Sequence, residues 1–455
     1  MPISQRLVQR LASVVGTERT VTDPAITAAH ARDWTGRFTG TADVVVSPAG
    51  PAEVSAVLAE CAATATPVVP QGGNTGLVGG AVPDAGAVVL DLRRLTRLAV
   101  SADGRHATAG AGVTIAELQA AAISAGRRYG VDLASRASAT LGGTIATNAG
   151  GLRVLRHGDT RAQLIGVEAV LADGTVVSHL TGLTRDNTGY HLPSLLCGSE
   201  GTLAVVTAAQ VRLLPQRPER SVALLAFATT AAAARAAALL PSAPWVEAVE
   251  LMLHAGVELV CRVGGLPRPM PEPHAAYLLV EAAAPDGVDG GLAAAVEGVP
   301  EVADVAVALD GPSMARLWAY RERHTEVIAT LGVAHKLDVT LPAPALAGFL
   351  EEVPHRVAAT VPAARTWLFG HAGDGNVHVN VTGAELAGPA LDEVVLTTVA
   401  QAGGSISTEH GIGRAKLPWL HLARSEAELR LFARVKQAFD PLGLLNPMLA
   451  ARPPS

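Results

Sequence analysis

Residues 70–83 read PQGGNTGLVGGAVP and directly follow a helix-like and then a strand-like run. The run PAEVSAVLAECAATATP, from Pro51, has helical spacing, and PVVP is typical of a short buried strand entering a glycine loop. Glycine permits positive φ and close backbone approach, so such a loop can turn its N–H groups onto an anion. A structural turn explains the stretch equally well, because it contains neither GxxxxGK[ST] nor a GxGxxG that opens a helix.

A second glycine-rich stretch, ATLGGTIATNAGGLR, occupies residues 139–153. It carries four more glycines together with the polar Thr147 and Asn148, and we expect it to be a loop that follows a helix. Either stretch alone is compatible with an ordinary turn. Two long glycine-rich loops in one domain favour a large cofactor that carries phosphate.

The composition is that of a folded protein. The chain has 455 residues, of which 49% are hydrophobic and 17% charged, with a net charge of -6. This length allows two or three domains and a sizeable core. The charge balance offers no basic surface for nucleic acid, so we expect no nucleic-acid partner.

The three cysteines, Cys61, Cys197 and Cys261, are isolated and odd in number, so no disulfide framework is visible. A reducing compartment is the simpler interpretation, and we expect a cytoplasmic protein. The first residues are compatible with a targeting peptide or with an ordinary helix, and because an uninterrupted h-region is missing we expect a helix. No segment supplies the roughly 20 apolar residues that span a bilayer.

The segment QRPERS, from Gln216, is polar, contains proline and separates two apolar regions, which is typical of a linker. Beyond it, apolar strand-like runs alternate with helical stretches, as in an α+β layer. We therefore predict a domain over residues 1–215, a second over 216–408 and a C-terminal segment over 409–455.

Residues 371–380 read HAGDGNVHVN, and their chemistry is ambiguous on its own. His371 and His378 flank a Gly-Asp-Gly turn, and His378 and Asn380 face the same side if the second half is a strand. Zinc binds imidazole and carboxylate, and Glu409 in STEHGIGRAK is the candidate third ligand. The alternative is a polar hairpin with solvated histidines.

A segment that precedes this stretch in the chain contains candidate residues for binding an anion. In WAYRERHTEVIATLGVAHKLDVTLP, from Trp318, Arg321 and Thr325 are four apart, so both can point from one helical face, and Lys336 starts the following strand. Such residues are usually solvent-exposed. A guanidinium that donates two parallel hydrogen bonds would also suit a substrate carboxylate.

Several motifs together resemble one family. The stretch 70–83, with LGGTIATNAGG, VEAVLADG, CGSEGTLAVVT and FDPLGLLNP, resembles the FAD-binding domain of the vanillyl-alcohol oxidase superfamily. Within it the chain is most similar to D-2-hydroxyacid dehydrogenases, specifically D-2-hydroxyglutarate dehydrogenases, from about residue 42 to 448. The resemblance implies an α+β fold: a two-subdomain FAD-binding domain, an α+β cap domain built on an antiparallel sheet, and a C-terminal helical segment returning to the FAD domain.

The resemblance also implies which residues bind the cofactor. The first loop lacks the histidine to which some relatives attach the flavin, so the FAD should be noncovalent. The segment VDLASRASATLGG departs from the family pattern, which weakens the assignment of Ser138. The implied FAD-binding residues are Pro70, Gln71, Gly72, Gly73, Asn74, Thr75, Gly76, Leu77, Ser138, Gly142, Gly143, Thr147, Asn148, Gly151, Glu200, Gly201, Val206 and Asn446.

By the same resemblance, His371, His378 and Glu409 hold a divalent metal, usually zinc. The metal would bind the hydroxyl and C1 carboxylate of a D-2-hydroxy acid and lower the hydroxyl pKa. His410 would accept the hydroxyl proton while hydride passes to the flavin, and Asn380 would orient the substrate.

The resemblance further implies that Arg321, Thr325 and Lys336 bind the distal carboxylate of D-2-hydroxyglutarate. A substrate with one carboxylate does not need this second anchor, so we expect a 2-hydroxy dicarboxylate, D-2-hydroxyglutarate or D-malate.

Two alternatives remain at this stage. One is a D-lactate or glycolate dehydrogenase of the same family, and the other is a noncatalytic flavin-binding subunit. No nicotinamide-binding fingerprint is present, so we expect an external electron acceptor, either a transfer flavoprotein or a quinone. The sequence leaves the oligomeric state open, with a homodimer as the candidate assembly.

Overall fold

The computed structural model describes residues 3–183, 185–284, 287–384 and 387–449, and this part of the chain divides into two compact units. The first unit holds the described residues up to Gly151, then His157–Gln216, and those from Glu409 onward. The second unit holds Leu152–Arg156 and the described part of Arg217–Thr408. Among the described residues, every helix is too short or too polar to cross a membrane.

The first unit contains two sheets. Its strands are β1 (Thr20–Val21), β2 (Val44–Val46), β3 (Val68–Gln71), β4 (Val88–Asp91), β5 (Leu98–Val100), β6 (His106–Gly110), β7 (Arg127–Tyr129), β8 (Leu164–Val170), β9 (Val176–His179) and β10 (Val205–Pro215). The helices along this part of the chain are α1 (Gln5–Val15), α2 (Pro24–Thr27), α3 (Pro51–Ala63), α4 (Ile115–Ser124), α5 (Leu141–Thr147), α6 (Val154–His157), α7 (Thr160–Gln163) and α8 (Leu192–Leu196). All residues of α6 except His157 belong to the second unit.

The smaller sheet has the strand order β1-β2-β4-β3. Strands β2, β4 and β3 are parallel, and both faces are buried. Val44, Val46, Val68 and Val88 pack with α1 and α3, whereas Val45 and Val89 pack with Ala31 and Ala42. The predicted helix from Pro51 and the predicted strand before the glycine loop are both confirmed. The loop of residues 72–83 therefore leaves the carboxyl end of a buried strand.

The larger sheet of this unit is antiparallel, with the order β5-β6-β10-β8-β9 and with β7 paired to β10. A turn at Asp173-Gly174 joins β8 to β9. Helix α4 covers the sheet and begins with a capping box, in which Thr114 and Glu117 satisfy each other's backbone N–H groups. Its buried apolar residues and those of β10 form one core.

The second unit is built on one antiparallel sheet, as predicted. Its strands are β11 (Glu219–Phe227), β12 (Val246–Leu253), β13 (Ala276–Ala284), β14 (Val302–Ala308), β15 (His335–Thr340), β16 (Arg365–Gly370) and β17 (Asn376–Thr382), in the order β14-β11-β13-β12-β16-β17-β15. Its helices are α9 (Thr230–Leu239), α10 (His254–Gly264), α11 (Val288–Glu297), α12 (Gly311–Glu322), α13 (His324–Ala329), α14 (Ala343–Thr360) and α15 (Gly388–Gln401).

After Thr408 the chain continues in the first unit through α16 (Gly413–Lys416), α17 (Leu420–Ala423) and α18 (Glu426–Phe439). Helix α18 begins with a second capping box, formed by Ser425 and Glu428. The chain then returns to the small sheet, where the Val68 N–H donates to the Leu444 carbonyl and the Asn446 N–H to the Val68 carbonyl. The predicted C-terminal helical segment is thus tied to the strand that precedes the glycine loop.

Candidate active site

The two glycine-rich stretches of the first unit lie against each other. A Cβ atom on Gly73 would overlap the carbonyl oxygen of Ser138, and one on Gly72 would overlap the Thr140 hydroxyl. Gly76, further along the same loop, has open space where its Cβ would be. Glycine is therefore required where the stretches touch, and the loop opens beyond that point.

The second stretch differs from the expectation of a loop. Residues Leu141–Thr147 form helix α5, which Thr140 caps through its side chain and which Asn148 ends in a left-handed conformation. Sequence patterning does not indicate this helix, because two of its seven residues are glycine, which weakens helical propensity. Packing explains one of them, since a Cβ on Gly142 would come within 2.7 Å of the Ala111 Cβ.

Backbone strain is concentrated in the predicted cofactor residues. Four non-glycine residues of this set have positive φ: Asn74 (52°), Asn148 (52°), Glu200 (50°) and Asn446 (41°). Such conformations cost free energy and persist where the surroundings enforce them, often at ligand sites. The strain therefore marks the same loops that the glycine pattern marks.

The polar side chains of these loops are used to hold the loops in place. Gln71 Nε2 donates to the carbonyls of His30 (3.0 Å) and Ala81 (3.1 Å). Asn74 Nδ2 donates to the Arg32 carbonyl, and Asn148 Nδ2 donates to Asp159. Contacts to a cofactor would then come mainly from backbone N–H groups, which suits a pyrophosphate.

Glu200 and Asn446 join separate parts of the first unit. The Glu200 carboxylate accepts from the N–H groups of Ile412 (2.6 Å) and Gly413 (2.9 Å). Asn446 Nδ2 donates to the carbonyls of Gly80 (2.8 Å) and Glu200 (2.9 Å). Burial raises the pKa of Glu200, and the two backbone hydrogen bonds and Lys416 oppose that rise. Glu200 thus fixes the chain just after His410.

The remaining predicted cofactor residues lie in the same unit. Pro70 lies in β3 and Val206 in β10, and Gly143 and Thr147 lie in α5. Gly151 has a φ of 125°, and Gly201 follows Glu200 with a φ of 68°. The residues that complete the set in the first loop are Thr75 and Leu77. Gly72 and Gly73 leave no room for a Cβ, whereas the space beside Gly76 is open. This combination fits a phosphate-bearing cofactor.

In the second unit, the predicted histidine hairpin is confirmed. Strand β16 ends at Gly370, His371 opens the turn, and β17 carries His378 and Asn380 on one face. Strand β15 pairs with β17 so that Asp338 lies opposite His378 and Lys336 lies opposite Asn380. The register therefore places the side chains of Asp338, His378, Lys336 and Asn380 on one face of the sheet.

Glu409 completes a donor set with the two histidines. One ligand atom each from His371, His378 and Glu409 lie within 4.8 Å of one another, and a second such group contains Asp338, Glu409 and His410. Glu409 directly follows Thr408, whose hydroxyl hydrogen-bonds to that of Thr340 at the end of β15 (2.6 Å). Two imidazoles and a carboxylate fit a zinc-type divalent metal with an open position.

Two buried carboxylates support the histidines. Glu250 Oε1 lies 2.6 Å from His371 Nδ1, and Asp338 Oδ1 lies 3.2 Å from His378 Nδ1. Glu250 and Asp338 are 0% and 1% exposed at their side chains. A carboxylate on Nδ1 leaves Nε2 to bind a metal, as is usual for histidine ligands.

His378 is held neutral by its surroundings. Burial lowers its pKa to about 4, against the opposing effect of Asp338. A neutral imidazole is the form that binds a metal, so Nε2 of His378 is available as a ligand at neutral pH.

The three residues predicted to bind the distal carboxylate differ in burial. Arg321 is buried, donates from Nε to Glu250 Oε2 (2.7 Å) and lies over the Phe369 ring at 4.8 Å. Thr325 is exposed. Burial lowers the pKa of Lys336. Arg321 lies in α12 and Thr325 in α13, and Arg323 between them has a helical backbone conformation, so the shared helical face stays a prediction.

Sequence reasoning missed Glu250 and Asp338. Glu250 lies in the run VEAVELML, where every residue from Val246 to Met252 is buried, so a charged residue in an apolar strand was the available signal. Asp338 is two residues from Lys336 in β15 and so shares its face. Neither could be paired with a particular histidine before the strand order was known.

Two family models match the chain. FAD linked oxidases, C-terminal domain, matches residues 216–449, and FAD binding domain matches residues 42–179. The chain belongs to the FAD-linked oxidases. The predicted FAD is thereby confirmed, and this FAD-linked oxidase is an FAD-dependent oxidoreductase that acts on a CH–OH group.

Curated relatives of this FAD-linked oxidase cover nearly all of it. A D-2-hydroxyglutarate dehydrogenase of Xanthomonas citri pv. viticola is 36% identical over 450 residues, which is 96% of this chain and 95% of the relative. The mitochondrial D-2-hydroxyglutarate dehydrogenase of Bos taurus is 36% identical over 94% of this chain and 80% of its own length. A mitochondrial protein of Schizosaccharomyces pombe, provisionally named a D-lactate dehydrogenase, is 32% identical over 98% of this chain and 90% of its own. The predicted resemblance to this family is confirmed.

Solved structures show the same fold. A p-cresol methylhydroxylase superposes with a TM-score of 0.80 at 14% identity, over 99% of this chain and 98% of its own. An alkyldihydroxyacetonephosphate synthase does so with 0.77 at 17% identity, over 98% of this chain and 85% of its own. The predicted fold class, a vanillyl-alcohol oxidase type of FAD enzyme with an antiparallel cap sheet, is confirmed.

Proposed function

We propose that this enzyme oxidises D-2-hydroxyglutarate to 2-oxoglutarate, with D-malate as a second substrate. The observation that carries the proposal is the position of Arg321, which is joined to the metal-ligand candidate His371 through the single carboxylate of Glu250. A substrate held by its hydroxyl and first carboxylate at the histidines would then meet a guanidinium with its second carboxylate. The names of the full-length relatives support the same substrate.

When bound, FAD accepts the hydride from C2 of the substrate and a divalent metal, which we propose to be zinc, acts as a Lewis acid on the substrate oxygens. His371, His378 and Glu409 are the proposed ligands of that metal. Their donor atoms are close enough to share one ion, and buried carboxylates orient the two imidazoles.

The chain's other residues have the following proposed roles. His410 accepts the proton of the substrate hydroxyl, since an imidazole titrates near neutral pH. Asn380, which is buried on β17 beside Lys336 on β15, orients the substrate by hydrogen bonding. Arg321, Thr325 and Lys336 bind the distal carboxylate, with Arg321 donating from its terminal nitrogens.

The competing proposal is oxidation of D-lactate. The relative in Schizosaccharomyces pombe supports it, since its provisional name assigns that substrate. A monocarboxylate leaves the distal anchor unused, so turnover of D-lactate should depend on Arg321 much less than turnover of D-2-hydroxyglutarate.

The experiment that separates the two is a substrate panel with an artificial dye acceptor. Purified FAD-loaded enzyme is assayed with D-2-hydroxyglutarate, D-malate and D-lactate before and after treatment with a metal chelator. We expect the highest kcat/KM with D-2-hydroxyglutarate and loss of turnover after chelation. A kcat/KM for D-lactate equal to that for D-2-hydroxyglutarate would contradict the proposed substrate. Turnover that survives chelation would contradict the proposed metal.

A transfer flavoprotein or a quinone is the proposed physiological acceptor, and a homodimer is the proposed assembly. A cytoplasmic location stays a prediction, and several relatives carry "mitochondrial" in their names. The described cysteines are free, with Cys61 and Cys197 buried and Cys261 partly exposed.

A further inference from the structure

Glu250 lies at the centre of the second unit's sheet and is used by two functional groups at once. Its side chain is fully buried on β12. Oε1 faces His371 Nδ1 at 2.6 Å, and Oε2 accepts from Arg321 Nε at 2.7 Å. Each oxygen therefore serves a different partner.

The chemistry of the carboxylate fixes the state of the histidine. An ionised carboxylate is only an acceptor, so a partner at hydrogen-bond distance must donate. In its neutral form, His371 must therefore carry its proton on Nδ1, which leaves the lone pair on Nε2. That is the tautomer in which Nε2 can bind a metal.

The same carboxylate fixes the guanidinium. Among the described residues, the hydrogen bond of the Arg321 side chain is the one from Nε to Glu250, and the Phe369 ring packs 4.8 Å from the guanidinium carbon. Held at Nε and by the ring, the plane of the guanidinium has a set orientation. Glu250 thus uses the Nε–H, and the N–H groups of the two terminal nitrogens remain as donors for a substrate carboxylate.

Glu247 on the same strand provides a comparison. It is equally buried, but its carboxylate lies 3.6 Å from Arg153 and 3.6 Å from Arg217, which have no role in the proposed site. Burial and charge are thus common to both glutamates. Contact with a metal-ligand candidate and a substrate-binding candidate distinguishes Glu250.

We propose that Glu250 is a positioning residue that sets the tautomer of His371 for the metal and the orientation of Arg321 for the distal carboxylate of the substrate. This inference rests on the proposed function and extends it. Metal affinity and preference for a dicarboxylic substrate should then change together when Glu250 changes.

The test uses Glu250→Gln with Glu247→Gln as the matched control, both as FAD-loaded full-length protein. A glutamine replaces one acceptor oxygen by a donor amide, so one of the two positions that face His371 and Arg321 no longer accepts a hydrogen bond. Affinity for Zn²⁺ is measured by competition with a chromogenic chelator, bound FAD by absorbance, and KM with D-2-hydroxyglutarate and D-lactate.

For Glu250→Gln we expect Zn²⁺ affinity to fall about 10–100-fold, the range found when a group supporting a metal ligand is lost. KM should rise more for D-2-hydroxyglutarate than for D-lactate, and bound FAD should be unchanged. Glu247→Gln should keep wild-type Zn²⁺ affinity and the wild-type ratio of the two KM values. Wild-type Zn²⁺ affinity in Glu250→Gln, or an equal loss in Glu247→Gln, overturns the inference.

A second measurement covers a Glu250→Gln variant that fails to fold. In the Zn²⁺-loaded wild-type protein, ¹⁵N NMR should show the His371 proton on Nδ1, and a proton on Nε2 overturns the inference. The proposed function fails separately, when wild-type enzyme does not oxidise D-2-hydroxyglutarate even though Zn²⁺ binding depends on Glu250. A wild-type protein that binds no Zn²⁺ overturns the positioning role while leaving the flavin reaction to be judged by turnover.

Discussion

The glycine loop of the first unit and the histidine hairpin of the second hold their functional groups by different means. The loop of residues 72–77 is shaped by missing side chains, with Gly72 and Gly73 pressed against residues 138–140. The hairpin is shaped by added side chains, with Glu250 and Asp338 buried behind His371 and His378. A backbone site is therefore specified by local sequence, whereas a side-chain site needs partners from distant strands.

The largest effect should come from removing a metal ligand candidate. His371→Ala should abolish Zn²⁺ binding and lower kcat/KM by about 10³-fold, since a Lewis acid contributes several kcal/mol. Metal content and steady-state kinetics measure this. His335→Gln is the control, because His335 is also a buried histidine of this unit with a carboxylate partner, Asp392 at 2.7 Å. If His371→Ala retains Zn²⁺, His371 is not a ligand, and the claim that side chains of the histidine hairpin hold the metal is contradicted.

The second prediction concerns the substrate cation. Arg321→Ala should raise KM for D-2-hydroxyglutarate by about 10–100-fold, because charge-assisted hydrogen bonds contribute about 1.5–3 kcal/mol. KM for D-lactate should change much less. Because the variant also leaves Glu250 buried without its cation, the ratio of the two KM values is the informative quantity. Equal changes with both substrates would contradict the anchor.

The third prediction tests the backbone site. Gly73→Ala should lower the free energy of unfolding of the flavin-free protein by about 1–3 kcal/mol or more, because its Cβ would overlap the Ser138 carbonyl oxygen. Gly76→Ala in the same loop has open space and should leave that stability unchanged. Chemical denaturation of the two flavin-free variants measures the difference. Equal stabilities would mean that the loops do not meet as described.

The smallest effect concerns pH and the second unit. Burial lowers the pKa of His324, which packs against Phe369, to about 3. The unfolded chain therefore binds a proton between pH 6.5 and about 3 that the folded chain excludes, so stability should fall as pH drops through that range. His324→Gln should show a shallower decline in the free energy of unfolding between pH 7 and pH 5. An identical slope in the variant would show that His324 does not contribute.

Much of the first unit could be predicted from sequence because its signals are local. The helix from Pro51, the strand into the loop and the glycine loop itself all follow from neighbouring residues. Helix α5 was missed because glycine disguised it, although Thr140 offered a helix cap. Each predicted site residue of this unit lies within a contiguous sequence motif, so the family resemblance is sufficient to identify it.

The second unit shows where sequence reasoning ends. The hairpin of His371 and His378 is contiguous and could be predicted, but Glu250 is 121 residues away from His371. Its pairing depends on β12 lying beside β16 in the sheet, which no local pattern specifies. The division into α12, which ends at Glu322, and α13, which begins at His324, was equally hidden, since the residues on both sides favour a helix.

The most direct test of the account is anaerobic mixing of the purified, Zn²⁺-loaded flavoprotein with D-2-hydroxyglutarate while the visible flavin absorbance is followed. We expect the flavin to bleach rapidly, with 2-oxoglutarate formed in equal amount, and to bleach far more slowly with D-lactate. An unchanged flavin spectrum with D-2-hydroxyglutarate, or equally fast bleaching with D-lactate, would contradict the central claim.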